Sequence, residues 1–226
     1  MEQPGKPLTP RQAARQETEA AVLRIGNRLL DEQGADGLSL RAIARELGMV
    51  SSALYRYVAN RDQLITLLIT RAYNDLADAV DAALEHREDS IQALGTAMLA
   101  WSRSHPQRWA LLYGTPLADY RAPAETTVAP GTRVMAQVAR LAAALPEPGP
   151  DWLGAEAAAD HPVTPLLQES LADLGLTASP RAALRALSIW VGLVGMVNAL
   201  RFQQLGPGFD GAEEALLRTH LDYLTR

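Results

Sequence analysis

LSLRAIARELGMVSSALYRYVANRDQL, residues 38 to 64, decides how this chain folds. Ser39 stands where a hydroxyl can accept a bond from one of the unpaired N–H groups that open a helix. Leu40, Ile43, Ala44 and Leu47 then fall at i, i+3, i+4 and i+7, one apolar stripe on two helical turns. Gly48 sits where the chain must turn back, in the left-handed conformation that glycine tolerates best. A second short helix follows, with Leu54 and Val58 facing inward and Ser51, Ser52, Ala53, Tyr55, Arg56 and Tyr57 on the other side. Small residues lie where a groove floor would press, with hydrogen-bond donors around them. That is the pattern of a helix-turn-helix.

The flanks complete a three-helix unit. Thr9-Pro10 supplies a capping hydroxyl and a proline for the first helical position, and that helix is expected to run to about Gln33, burying Val22, Ile25, Leu29 and Leu30. Gly34 ends it, and Asp36-Gly37 turns the chain into Leu38. Residues 1–8 read as a flexible arm; Lys6, and then Arg11 and Arg15, could reach along a phosphate backbone, but a solvated tail is the blander alternative. After an element expected to end near Ala59, Asn60 to Gln63 forms a capping box for a long fourth helix through Leu64, Leu68, Ala72, Leu76 and Val80.

The string Leu54-Tyr55-Arg56-Tyr57-Val58-x-Asn60-Arg61-Asp62-x-Leu64, behind Ile43-Ala44-x-x-Leu47-Gly48, closely resembles the N-terminal domain of TetR-type transcriptional regulators. The spacing of the first helix, Val22-Leu23-x-x-Gly26-x-x-Leu29-Leu30-x-x-x-Gly34, is similar to that family too, with Gly26 where alanine is more frequent. The resemblance implies backbone contacts at Tyr55, Tyr57 and Arg61, and places Ser51, Ser52, Ala53 and Arg56 near base edges. One departure stands out. The family usually has Ser or Thr two residues after the glycine, capping the recognition helix; here Val50 holds that place, leaving Ser51 to cap one residue later.

The residues themselves support these roles. Arg41 and Arg61 open helices two and four, where positive charge and free N–H groups suit phosphates; Ser39 lies beside Arg41. Tyr55 and Tyr57 carry hydroxyls at a reach suited to a flanking phosphate. Ala53 can only touch a thymine methyl or admit the DNA backbone, whereas Arg56 either reads guanine or clamps a phosphate.

Beyond residue 63 the sequence gives way to further helices: Ser90 to Ser104, Pro106 to Tyr113, about Gly131 to Leu145, Thr164 or Pro165 to Leu174, Pro180 to about Phe202, and Gly211 to Thr225. Residues 114 to 130 and 146 to 152 are expected to be loops, and the tract from there to His161 shows little periodicity. The whole is thus expected to be all-α, with about nine to ten helices. A helix-turn-helix DNA-binding domain would span residues 1–62, and a ligand-binding and dimerisation domain residues 63–226. His105-Pro106-x-x-Trp109-x-Leu111-x-Tyr113-Gly114 and Trp190-x-x-x-Val194-Gly195 resemble a C-terminal subtype named for W-x-x-x-H-G; its histidine is Val194 here. The family resemblance implies a homodimer through the last two helices, and Gly192 and Gly195 suit close helix–helix approach.

Met98, Trp101, His105, Trp109, Tyr113, Met135, Trp190 and Asn198 are the candidate effector contacts. Together they suit an apolar, aromatic ligand with one or two polar groups, and taken singly each could equally be core packing. Enzymatic motifs fare poorly. Gly206-Pro-Gly208-Phe-Asp-Gly211 satisfies G-x-G-x-x-G formally, but it contains proline and follows a helix, so it reads as a turn. His86, His105, His161 and His220 lack metal-ligand spacing, there are no cysteines, and neither a metal nor a cofactor is expected.

Net charge is −5, but residues 1–62 hold nine Lys+Arg against eight Asp+Glu, so the acidity belongs to the remainder. No run of apolar residues approaches the ~18 expected of a membrane span, and no signal-peptide core is seen, so a cytoplasmic location is expected. The expected function is regulation of transcription through a palindromic operator, most simply as a repressor released by a small molecule. An activator or protein-responsive regulator of the same fold is the alternative, and an enzyme with a vestigial head the rival from another class.

Overall fold

The computed structural model describes residues 9–85, 90–146, 154–206 and 208–225. The N-terminal arm, His86 and most of the expected loop at 146–152 lie outside the described residues. Among those described there are eleven α-helices and no strand. They are α1 (Pro10–Gln33), α2 (Leu40–Glu46), α3 (Ser51–Leu54), α4 (Arg61–Glu85), α5 (Ile91–Ser104), α6 (Pro106–Tyr113), α7 (Ala124–Ala144), α8 (Ala155–Ala159), α9 (Thr164–Asp173), α10 (Pro180–Arg201) and α11 (Glu213–Leu224). A 3-10 turn, Ala35–Gly37, joins α1 to α2.

Local chemistry sets most boundaries. Thr9 and Gln12 form a reciprocal capping box at α1, with Pro10 at the first helical position. Ser39, Ser90 and Ser179 cap α2, α5 and α10 through their hydroxyls. At α4 the Gln63 N–H donates to Asn60 Oδ1 at 2.8 Å, while Gln63 Oε1 accepts from the Ala59 N–H at 2.6 Å. The returning bond of the box thus lands one residue early. Gly48 has φ of 65°, as the turn requires.

One expectation fails in an instructive way. α7 begins at Ala124, not near Gly131, and carries Pro130 inside it. Proline lacks the N–H that would have bonded the Thr126 carbonyl. Thr70 of α4 supplies a hydroxyl donor to that carbonyl instead, at 3.5 Å. A Cβ on Gly131 would meet the Tyr73 ring at 3.3 Å, so the pair that reads as a helix breaker lets α7 lie close on α4. α10 holds an 18-residue window with a mean hydropathy of 1.6, long and apolar enough to cross a membrane by length and composition, although Arg185, Ser188 and Asn198 interrupt its apolar residues. Here it packs one face on α5, α7, α9 and α11. Short α8 is an addition to the expected helices.

The apolar side chains form two clusters. The head cluster gathers Val22, Leu30, Ile43, Leu54, Leu64 and Leu68 from α1 to α4; the body cluster gathers Leu76, Val80, Met98, Trp109, Ile189 and Leu193 from α4 to α11. α4 belongs to both, giving its residues up to Ile69 to the head and those from Ala72 onward to the body.

Candidate nucleic-acid interface and effector recesses

Leu54 and Val58 are 1% and 2% exposed, and anchoring them turns the rest of the segment outward. Ser51, Ser52, Tyr55 and Arg56 are exposed, and Ala53 and Tyr57 half-buried. α3 is shorter than expected. After Leu54 the chain tightens, with the Arg56 N–H donating to Ala53 O at 3.3 Å and the Tyr57 N–H to Leu54 O at 2.8 Å. Val50 occupies the cap position with extended backbone and no side-chain bond, and Ser51 is already the first helical residue. The expectation that Ser51 caps α3 is therefore corrected: the valine side chain stands 71% exposed where a hydroxyl would serve.

The remaining polar residues of this surface differ in freedom. Ser39 Oγ accepts from the Ala42 N–H at 3.4 Å. Arg41 is exposed and forms no ion pair among the described residues. Arg61 is held: its Nη2 donates to the Ala35 carbonyl at 2.8 Å, tying the start of α4 to the turn between α1 and α2.

The head meets the body through α6. Arg108 reaches Asp31 of α1 at 2.6 Å and Asp75 of α4 at 3.8 Å, with its side chain only 16% exposed. Tyr120, in the segment leading to α7, shares a 2.9 Å hydrogen bond with the Thr66 hydroxyl of α4. Neither link was evident in the sequence, because each joins residues more than fifty positions apart except Arg108–Asp75.

Two recesses open on either side of the segment Gly114–Leu117. One, of about 680 Å³, is walled by Ala35, Gln107, Tyr113, Asn198 and Phe202. The other, of about 420 Å³, is walled by Ile69, Tyr73, Tyr120 and Gly131. Both are of a size that takes small ligands. A third, apolar cavity between α7, α9 and α10 holds Met135 and Trp190 but measures only about 60 Å³.

The candidate effector residues are thus only partly assembled. Trp109 Nε1 donates to Asn198 Oδ1 at 2.9 Å, and Asn198 Nδ2 donates to the Tyr113 carbonyl at 3.2 Å. The Tyr113 ring lies 4.6 Å from Trp109, 6.2 Å from Trp190 and 6.1 Å from Tyr73. Its hydroxyl is buried without a hydrogen-bond partner, and burial pushes its pKa well above the usual phenol range. Trp101 and His105 stack on each other at 4.9 Å, and Met98 is wholly buried; these three line none of the recesses just described. Tyr73 escaped notice in the sequence. So did Leu167, Leu171 and Leu174 of the α9 region, whose i, i+4, i+7 spacing was the available signal.

Among the described residues no group of three or more His, Cys, Asp or Glu is placed to hold a metal. Gly206, Gly208 and Gly211 all have positive φ and make the turn between α10 and α11.

A helix-turn-helix with its second helix outermost, mounted through a shared α4 on a helical body, defines a DNA-binding regulator of transcription. Comparison with known proteins agrees. Residues 22–68 match the family described as bacterial regulatory proteins, tetR family, and residues 91–224 match the tetracyclin repressor-like C-terminal domain. The chain belongs to the TetR family of helix-turn-helix transcriptional regulators. It is 40% identical over 201 residues to the HTH-type transcriptional regulator Rv1816 of Mycobacterium tuberculosis, covering 87% of this chain and 86% of that one. The HTH-type transcriptional repressor DrrR1 of Streptomyces coeruleorubidus is 31% identical over 85 residues, 38% of this chain and 32% of its own length. Among solved structures, SCO4313, assigned as a regulatory protein, superposes with a TM-score of 0.74 at 31% identity, over 96% of this chain and 98% of that one.

Proposed function

We propose that this regulator is a cytoplasmic homodimeric repressor, released from a palindromic operator by a small apolar or aromatic molecule. Residues 1–62 read DNA and residues 63–226 bind the effector and the second subunit. Ser51, Ser52 and Ala53 meet base edges, Arg56 reads a guanine edge or clamps a phosphate, and Ser39, Arg41, Tyr55, Tyr57 and Arg61 hold the phosphate backbone.

The observation that carries the effector response is the 680 Å³ recess. Its wall includes both Ala35, in the turn between α1 and α2, and the body residues Tyr113 and Asn198. The Ala35 carbonyl is also the acceptor for Arg61. A molecule seated there touches the head and the body at once, so it favours whichever arrangement of the two it fits best. The dimer rests on an apolar outer face. Leu187 and Val191 of α10 are 38% and 59% exposed, and Tyr223 of α11 is 76% exposed. Gly192 packs on His220 and Leu224 of its own chain, whereas Gly195 has open space before it and can admit a second copy.

The test begins with selection of bound duplexes from random DNA by the purified protein. The expected result is one palindrome, its half-sites about one helical turn or more apart. That duplex then serves as probe for a panel of apolar and aromatic compounds, of which at least one should release it and raise the melting temperature of the free protein. Enrichment of an asymmetric site would remove the two-fold arrangement. No enrichment at low or moderate salt would remove the DNA reading itself.

A further inference from the structure

We infer that the first turns of α1 form a second phosphate-binding surface, which carries the DNA footprint past the recognition helix onto the flanking backbone. The inference rests on the DNA-binding reading above and adds residues to it. A cleft of about 350 Å³ lies between α1 and the end of the α3 segment, lined by Arg11, Ala14, Arg15, Thr18, Arg56 and Tyr57. Three arginines line it and no carboxylate-bearing residue does. Arg11 and Arg56 form no ion pair among the described residues. Arg15 is paired with a carboxylate of its own helix and rests near an aromatic ring. Its Nε holds Glu19 at 2.8 Å, and its guanidinium carbon lies 6.0 Å from the centre of the Tyr57 ring.

A second observation concerns the helix itself. Every residue from Thr9 to Glu17 is exposed, and the first buried side chain of α1 is Val22. This stretch packs no apolar face into the head, yet it is held helical by the Thr9–Gln12 capping box and Pro10. An overhanging, preformed helix beside the recognition segment, with arginines at positions 11 and 15 one turn apart, offers positive charge at a spacing that suits a sugar–phosphate backbone. The occupant is a phosphodiester of the duplex flanking each half-site. Glu17 follows further along the helix, and Glu19 already shares the charge of Arg15, so Arg11 and Arg56 are the cations of this surface without an ion pair among the described residues.

The arrangement predicts a contact that adds affinity without adding sequence information. The experiment compares the wild type with the double variant Arg11→Gln, Arg15→Gln on the selected operator. Both side chains are exposed, and glutamine preserves helix propensity. The variant should show a dependence of log K on log salt shallower by about one to two, with binding weaker by roughly tenfold at moderate salt. It should select the same palindrome. Shortening the duplex on both flanks should weaken the wild type and leave the variant unchanged. An unchanged salt slope together with equal sensitivity to duplex length overturns the inference while leaving the DNA reading intact. A wild type that selects no duplex overturns both.

Discussion

Arginine ties helix to helix throughout the body, whereas in the head several arginines are left unpaired. In the body, Arg133 of α7 donates to Asn74, Asp78 and Asp81 of α4 at 2.8 to 2.9 Å, and the Asp78 bond foremost raises its pKa. Arg103 joins α5 to Glu213 and Glu214 at the start of α11. Arg185, 3% exposed, donates to the Ala142 and Leu145 carbonyls where α7 ends. Each of these bonds helix to helix. In the head Arg15 and Arg28 pair with Glu19, Glu32 and Glu46, but Arg11, Arg41, Arg45 and Arg56 form no ion pair among the described residues. Exposed ion pairs contribute little to stability, so leaving these guanidinium groups unpaired costs the fold almost nothing. What the head keeps is positive charge with nowhere to go inside the chain.

The contrast makes predictions that differ by region. The largest effect belongs to the body core: Trp109 is fully buried and bonded to Asn198, so Trp109→Ala should remove about 3–5 kcal/mol in urea unfolding. A loss under about 1 kcal/mol would mean the body is not organised around this ring. Next comes Arg56→Ala, which should leave the unfolding midpoint unchanged yet weaken operator binding by about 1–3 kcal/mol. If repeating the selection with this variant relaxes one base position, Arg56 reads an edge; if only the salt slope changes, it clamps a phosphate. Arg103→Ala is the control, and an equal loss of DNA affinity there would erase the distinction between regions. The smallest effect tests the missing cap. Val50→Ser should stabilise the head by about 1 kcal/mol, seen as added hydrogen-exchange protection across α3. No gain would show that the tightened turn after Leu54 already satisfies the segment.

The same division explains what could be read from the sequence. The head was legible because its signals are local: caps at Thr9, Ser39 and Asn60, a stripe at Leu40, Ile43 and Ala44, and Gly48 in the left-handed region. Its errors, the cap and the length of α3 and the register of the box at α4, are shifts of a few residues, and the first lies where the chain departs from the pattern it otherwise follows. In the body, the start of α7 was hidden because the partner that satisfies the carbonyl freed by Pro130 is Thr70, more than fifty residues away. The effector residues were chosen for type and helical spacing, which cannot separate Met98, locked in the core, from Tyr113 and Asn198 at the wall of a recess. The Arg108 bridge and the Tyr120–Thr66 bond are tertiary facts with no sequence signal at all.

The seam between α4 and α7 has a mechanical corollary. Thr70, Asn74, Asp78 and Asp81 recur along α4 at nearly one per turn, and Thr126 and Arg133 of α7 engage all four. Sliding α4 along α7 strains all of these bonds together, and restoring them in a new register takes a step of about one helical turn, about 5.4 Å. A tilt about the seam strains them less, and its effect grows with distance along α4. The far end of that lever, before Ile69, carries the head.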